Sequence, residues 1–227
     1  PCGLRGFEVP SENPRLLGFE LNADKLFFDL DGTLHRGDML ASYVVHVAVR
    51  NPIRTALLLP WLLVGSALNA LRPADAWSLN CILVPLTWLS SEARRARVDA
   101  EFVASFQRRL RPHPRVMARL EEHLADGSAV LIVSGSPEPL IRAAYPELAA
   151  RSGVHLVGST MRRGPRATYL LDRCIGEGKL RMLEQRFGRG IRFECGYSDS
   201  ASDAPVLALC RRAFRVTRRG ELVSCGE

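Results

Sequence analysis

Asp29 and Asp31 stand two residues apart in the run Phe28-Asp29-Leu30-Asp31-Gly32-Thr33. In an extended chain that spacing turns both side chains to one side and Leu30 to the other, so two carboxylates face one spot. Asp31-Gly32 permits a tight turn, and Thr33 offers a hydroxyl and a backbone N–H to a phosphoryl oxygen. The same residues also suit an ordinary Asp-Gly turn closing a strand, so the rest of the chain must decide. In Ser134-Gly135-Ser136, just before Pro137, Ser134 can hydrogen-bond a phosphate or simply cap a helix. Lys179 follows Gly176-Glu177-Gly178; it and Lys25 are the only lysines among 31 cationic residues, which singles it out as a group able to neutralise a phosphate. Asp199 and Asp203 lie in Gly196-Tyr197-Ser198-Asp199-Ser200-Ala201-Ser202-Asp203, where either also suits a helix cap.

In this order the groups resemble the four motifs of the haloacid dehalogenase superfamily of phosphohydrolases. The resemblance implies Asp29 as nucleophile, Asp31 as general acid and base, and Thr33, Ser134, Gly135 and Lys179 as the phosphate-holding groups. It further implies Asp29, Asp199 and the backbone carbonyl of Asp31 as ligands of Mg²⁺, with Asp203 supporting them. An oxygen-only donor set suits this hard cation. The acid two residues after the nucleophile points to phosphate rather than halide chemistry.

These groups need strands to carry them. Short apolar runs at 25–30, 129–133, 154–158, 191–195 and 213–217 alternate with helix-period stretches at 115–125, 138–150, 177–187 and 203–212. That alternation predicts a doubly wound, Rossmannoid α/β sheet, with residues 161–171 forming a β-hairpin beside it. In such sheets ligands bind beyond the carboxyl ends of the strands, where each candidate group falls. The expected division is a loose tail over 1–24, a catalytic core over 25–37 and 128–227, and a helical cap insertion over 38–127.

Within the insertion, 55–71 and 76–91 carry no formal charge, and 92–110 reads as an amphipathic helix. As one helix, the first stretch would reach roughly 26 Å, just short of a hydrocarbon core. The candidate groups lie on both sides of the insertion yet must share one aqueous site, so crossings must be even in number. The expectation is an apolar hairpin entering or crossing a bilayer; two buried cap helices are the alternative. Arg50, Arg54, Arg94, Arg95 and Arg97 flank the stretches against Arg72 at their tip, which places the catalytic core in the cytoplasm.

Several phrases, among them Arg173-Cys174-Ile175-Gly176 and Arg215-Val216-Thr217, resemble the phosphatidylglycerophosphatase C family of Gram-negative bacteria over roughly residues 25–223. That likeness implies hydrolysis of phosphatidylglycerophosphate in phospholipid biosynthesis, at the inner leaflet of the bacterial inner membrane. The alternatives are a soluble small-metabolite phosphatase resembling phosphoserine phosphatase, and a phosphate- or lipid-binding adaptor without activity. The net charge of +7 favours anionic partners in general. Nucleic acid is not expected, for want of an aromatic platform or motif, and no protein partner is inferable. Six cysteines without metal-ligand spacing read as reduced thiols, mostly in the core. His35 follows the first motif closely, a structural histidine being the plainer reading.

Overall fold

The computed structural model describes residues 25–225, so the expected tail over 1–24 lies outside the described residues. Strand β1 (Lys25–Phe28) is apolar on both faces. Phe27 packs with Leu131, Val133, Val157 and Phe193, while Leu26 and Phe28 enter the larger core on the opposite face. Such a strand is stable only in the middle of a sheet covered on both sides.

That sheet contains β2 (Ala129–Pro137), β3 (Val154–Arg163), β4 (Thr168–Asp172), β5 (Phe193–Ser198), β6 (Cys210–Val216) and β7 (Leu222–Ser224). Its order is β4-β3-β2-β1-β5-β6-β7, with antiparallel pairing only at the outer strands β4 and β7. Phe28 is level with Ile132 of β2 and Tyr197 of β5, so the chain leaves these three strands side by side. Because β1 is flanked by β2 on one side and β5 on the other, its carboxyl end is a topological switch point. The doubly wound α/β architecture is the one expected.

Some local expectations are corrected. The helix expected over 203–212 shrinks to a 3₁₀ turn at Ala201–Asp203 and a helix at Ala204–Leu207, because pairing with β5 takes the chain into β6 from Cys210. The helix expected over 138–150 breaks at Tyr145 into α7 (Glu138–Ala144) and α8 (Pro146–Ala150), since Pro146 has no N–H to donate and pushes the residue before it out of helical geometry. Of the cysteines within the described residues, Cys174 and Cys195 are buried, Cys225 is exposed, and all are free thiols.

Six helices separate β1 from β2: α1 (Met39–Val49), α2 (Pro52–Leu57), α3 (Leu59–Leu71), α4 (Ala76–Thr87), α5 (Glu92–Arg109) and α6 (Pro114–Ala125). Asp38 starts α1 by accepting the Ala41 N–H at 2.8 Å, and Ser91 caps α5. Pro60, in the first turn of α3, divides the apolar run at Leu58. The resulting α3 has 13 residues, about 20 Å of helix. No described helix is long and apolar enough to cross a membrane.

Helix α4 covers the outer edge of β4: Asn80 exchanges two hydrogen bonds with the Leu170 backbone at 2.8 Å, and Thr87 accepts the Thr168 N–H at 3.0 Å. An otherwise open strand edge is thereby satisfied. Helix α3 lies outside α4 and buries only Leu62 and Gly65, leaving Leu59, Trp61, Leu63, Val64 and Leu71 exposed.

Candidate active site

Asp29 is the first residue past β1, and its N–H extends the ladder to Tyr197 O at 2.9 Å. Its side chain is buried, and Oδ1 receives Lys179 Nζ at 2.5 Å. Lys179 comes from the first turn of helix α9 (Glu177–Phe187). The helix sits close enough to the strand loops for this only because residue 178 is glycine; a methyl there would strike Arg173 O. Lys179 Nζ also donates to Asp203 Oδ2 at 2.7 Å, and that oxygen accepts the Ser198 hydroxyl. Burial works against the Lys179 charge, but the two carboxylates outweigh it and hold the amine above the ordinary lysine range. Burial outweighs the opposing charge of Lys179 and leaves the Asp29 carboxyl raised, to about 7.

Thr33 Oγ1 lies 3.2 Å from Asp29 Oδ2 and 3.3 Å from Asp199 Oδ1, and accepts the Asp199 N–H at 3.0 Å. One hydroxyl proton therefore stands between two carboxylates and can satisfy only one of them. A cation at that point would relieve the remaining charge. Among the described residues no three Asp, Glu, His or Cys side chains gather into a cage of their own. Two carboxylates with a backbone carbonyl leave positions for water, which is how Mg²⁺ is usually held. The donor set thus fits the expected ion.

Asp31, two residues on in the same loop, lines the same cavity as Asp29 but has different partners. Its Oδ1 accepts the Met39 N–H and its Oδ2 accepts the hydroxyls of Ser134 and Ser136, each at 2.7 Å. His35 Nε2 lies 3.4 Å from Oδ1, near enough to act on the charge, while its Nδ1 meets the Tyr145 hydroxyl at 2.7 Å. Burial pushes Asp31 up, but His35, the Met39 N–H and Ser134 together hold the carboxyl below its usual range.

These groups open on a cavity of about 550 Å³ that Asp29, Asp31, Lys179, Asp199, Asp203, Gly135 and Ser136 help to line. Two of the expected phosphate holders are engaged with the protein's own groups in this structure. The Thr33 hydroxyl is engaged with Asp29 and Asp199, and the Ser134 hydroxyl with Asp31 and the Ser136 N–H; both residues are fully buried and neither lines the cavity. On this side Gly135 and Ser136 line the cavity, the Ser136 hydroxyl being engaged with Asp31 as well. Ser136 carries no signal apart from its place in the same tripeptide. Arg173, which also lines the cavity, carried no signal beyond its family phrase, because nothing local marks an arginine as buried.

Gly32 has φ +79, and a Cβ there would fall on the Asp199 carboxylate. Gly32→Ala adds backbone strain of about 1–2 kcal/mol and displaces Asp199. The expected result is a roughly ten-fold or greater loss of turnover, with more Mg²⁺ needed for half-maximal rate. A Mg²⁺ titration of the variant against the parent checks it.

Comparison with known proteins supplies relatives for this arrangement. The family model described as haloacid dehalogenase-like hydrolase matches residues 26–208. A protein of unknown function from Bordetella pertussis Tohama I is similar in structure, with 22% identity, a TM-score of 0.60, and 84% of this chain and 89% of that one covered. A phosphoserine phosphohydrolase-like protein from Francisella tularensis subsp. tularensis SCHU S4 gives 12% identity and a TM-score of 0.54, covering 86% and 88%. A phosphoserine phosphatase described as a phospho-aspartyl intermediate analogue gives 16% and 0.51, covering 84% and 85%. At these identities the structural likeness is one of fold.

Proposed function

The chain belongs to the haloacid dehalogenase-like hydrolase family, and from that premise we propose that it is a Mg²⁺-dependent phosphomonoesterase working through an aspartyl-phosphate on Asp29. The observation that carries this reading is the convergence of Asp29, Lys179, Asp199 and Asp203 from three separate segments of the chain. Asp29 attacks phosphorus, the ester oxygen leaves as the alcohol, and Asp31 gives it a proton. Asp31, then a carboxylate, takes a proton from the water that hydrolyses the acyl phosphate. In the structure Ser134, Ser136 and the Met39 N–H keep Asp31 in that carboxylate form; rotation of either serine hydroxyl frees an oxygen to accept the proton needed first. Lys179 neutralises both the attacking carboxylate and the transferring phosphoryl group. Asp29, Asp199 and the Asp31 carbonyl would hold Mg²⁺, which when bound offsets the repulsion between a carboxylate and a phosphate dianion.

Two substrate classes have support. The neighbours named as phosphoserine phosphatases favour a small soluble ester, and the comparisons support this reading better than the lipid one. A specific observation favours phosphatidylglycerophosphate at a membrane surface. Helices α2 and α3 expose Ile53, Leu57, Leu59, Trp61, Leu63 and Val64, and an adjoining apolar groove of about 950 Å³ is rimmed by Arg50, Arg54 and Arg94. An exposed apolar face of this kind commonly marks a contact with another surface, and cations beside it suit anionic headgroups.

Detergent-purified protein assayed with Mg²⁺ against phosphatidylglycerophosphate, phosphatidate and phosphoserine in parallel tests the reading. Hydrolysis of at least one ester, abolished by EDTA and restored by Mg²⁺, is expected, and the preferred ester names the class. Absence of hydrolysis of every ester would leave the adaptor reading in its place.

A further inference from the structure

The groups assigned to phosphoryl transfer are not the only ones that line the cavity. Its other cations are Arg36, Arg173 and Arg218. Arg36 and Arg218 are exposed and can be solvated, whereas Arg173 is 6% exposed. Its Nη1 donates to Asn69 Oδ1 at 3.2 Å, and its Nε is sealed from water with no acceptor. Asp38 is the acid that acts on it, but the Asp38 carboxylate caps α1 and makes no ion pair with Arg173 within 4.0 Å. A guanidinium does not shed its proton in a protein, and a buried charge without a partner is costly. The site therefore holds a cation whose compensation is incomplete until something negative enters the cavity.

Its placement links the cavity to the apolar hairpin. Arg173 lies six positions before Lys179, and its carbonyl is packed against Gly178. The loop carrying Arg173 is thus packed directly on the helix carrying Lys179. Asn69, the residue holding Arg173, lies near the end of α3, and its Oδ1 also accepts the Ser78 hydroxyl at 3.3 Å. Arg173 therefore stands where the lining of the catalytic cavity meets the apolar hairpin.

Building on the phosphatase reading above, we infer that Arg173 binds a second anionic group carried by the alcohol part of the substrate. The enzyme thereby selects phosphomonoesters that bear another anion. A carboxylate on a soluble metabolite and a phosphodiester in a lipid headgroup both meet that description, and the planar guanidinium suits either.

The test compares kcat/KM, with Mg²⁺, for p-nitrophenyl phosphate, phosphoserine and micellar phosphatidylglycerophosphate, in the parent protein, Arg173→Met and Arg173→Lys. The readout is the ratio of each doubly anionic ester to p-nitrophenyl phosphate. A ratio taken on one sample is insensitive to loss of folded protein. Arg173→Met is expected to lower the ratio of the preferred ester about 10- to 100-fold, chiefly through KM, and Arg173→Lys to recover part of it. Whether the phosphoserine or the lipid ratio falls identifies the source of the second anion. An unchanged ratio in Arg173→Met, or a parent without preference for either doubly anionic ester, overturns the assignment while leaving the phosphatase reading intact. A parent that hydrolyses none of the three overturns both.

Discussion

Asp29→Asn is expected to lower kcat by about 10⁴-fold or more, measured as phosphate release with saturating Mg²⁺. The amide has nearly the shape of the carboxylate but cannot attack phosphorus. Lys179 keeps Asp203 as a partner at 2.7 Å, so the variant should remain folded, and an unchanged circular-dichroism spectrum separates lost chemistry from lost structure. Near-parental turnover in a folded Asp29→Asn variant would mean that another group attacks phosphorus.

The second large effect belongs to Lys179→Met, and it is read in stability as well as rate. The ammonium separates Asp29 from Asp203, all three being buried. Removing it leaves two carboxylates in a low-dielectric pocket, and breaking a buried pair in this way costs about 3–5 kcal/mol. For a chain of this size that corresponds to a fall of roughly 10 °C in Tm, together with near-complete loss of turnover. Adding Asp203→Asn to Lys179→Met removes one of the stranded charges and should raise Tm again without restoring activity, a non-additive pair of substitutions that reports direct contact. Equal Tm values for the parent and Lys179→Met would show that the ion pair is not formed in solution.

Much of this site was legible from the chain because its groups sit at the carboxyl ends of strands, and strands announce themselves by short apolar runs between turn residues. Asp29, Lys179, Asp199 and Asp203 come together as the order of motifs implied. What local pattern could not supply was the direction of hydroxyls. Thr33 and Ser134 are small donors that turn toward the nearest unsatisfied carboxylate, and which carboxylate that is depends on packing between segments 100 or more residues apart. The same limit hid Arg173, whose burial follows from the meeting of β4, α3 and α9.

The fold followed a similar division. Helix α9 and the β3–β4 hairpin were marked by their own sequences, whereas the stretch after Asp203 has helical periodicity that loses to strand pairing along β5. In the insertion, hydropathy reported apolar composition faithfully. The length of its helices was decided by Pro60 and by the hydrogen bonds that seat α4 on β4.

The covalent step itself offers the most direct measurement. Protein mixed with Mg²⁺ and ³²P-labelled phosphomonoester, quenched in acid within the first turnover and reduced with borohydride, should yield one labelled, hydroxylamine-sensitive species before reduction. After reduction, mass spectrometry should find homoserine in place of aspartate at position 29. Turnover with no labelled protein, or with label on a serine or histidine, would contradict the mechanism.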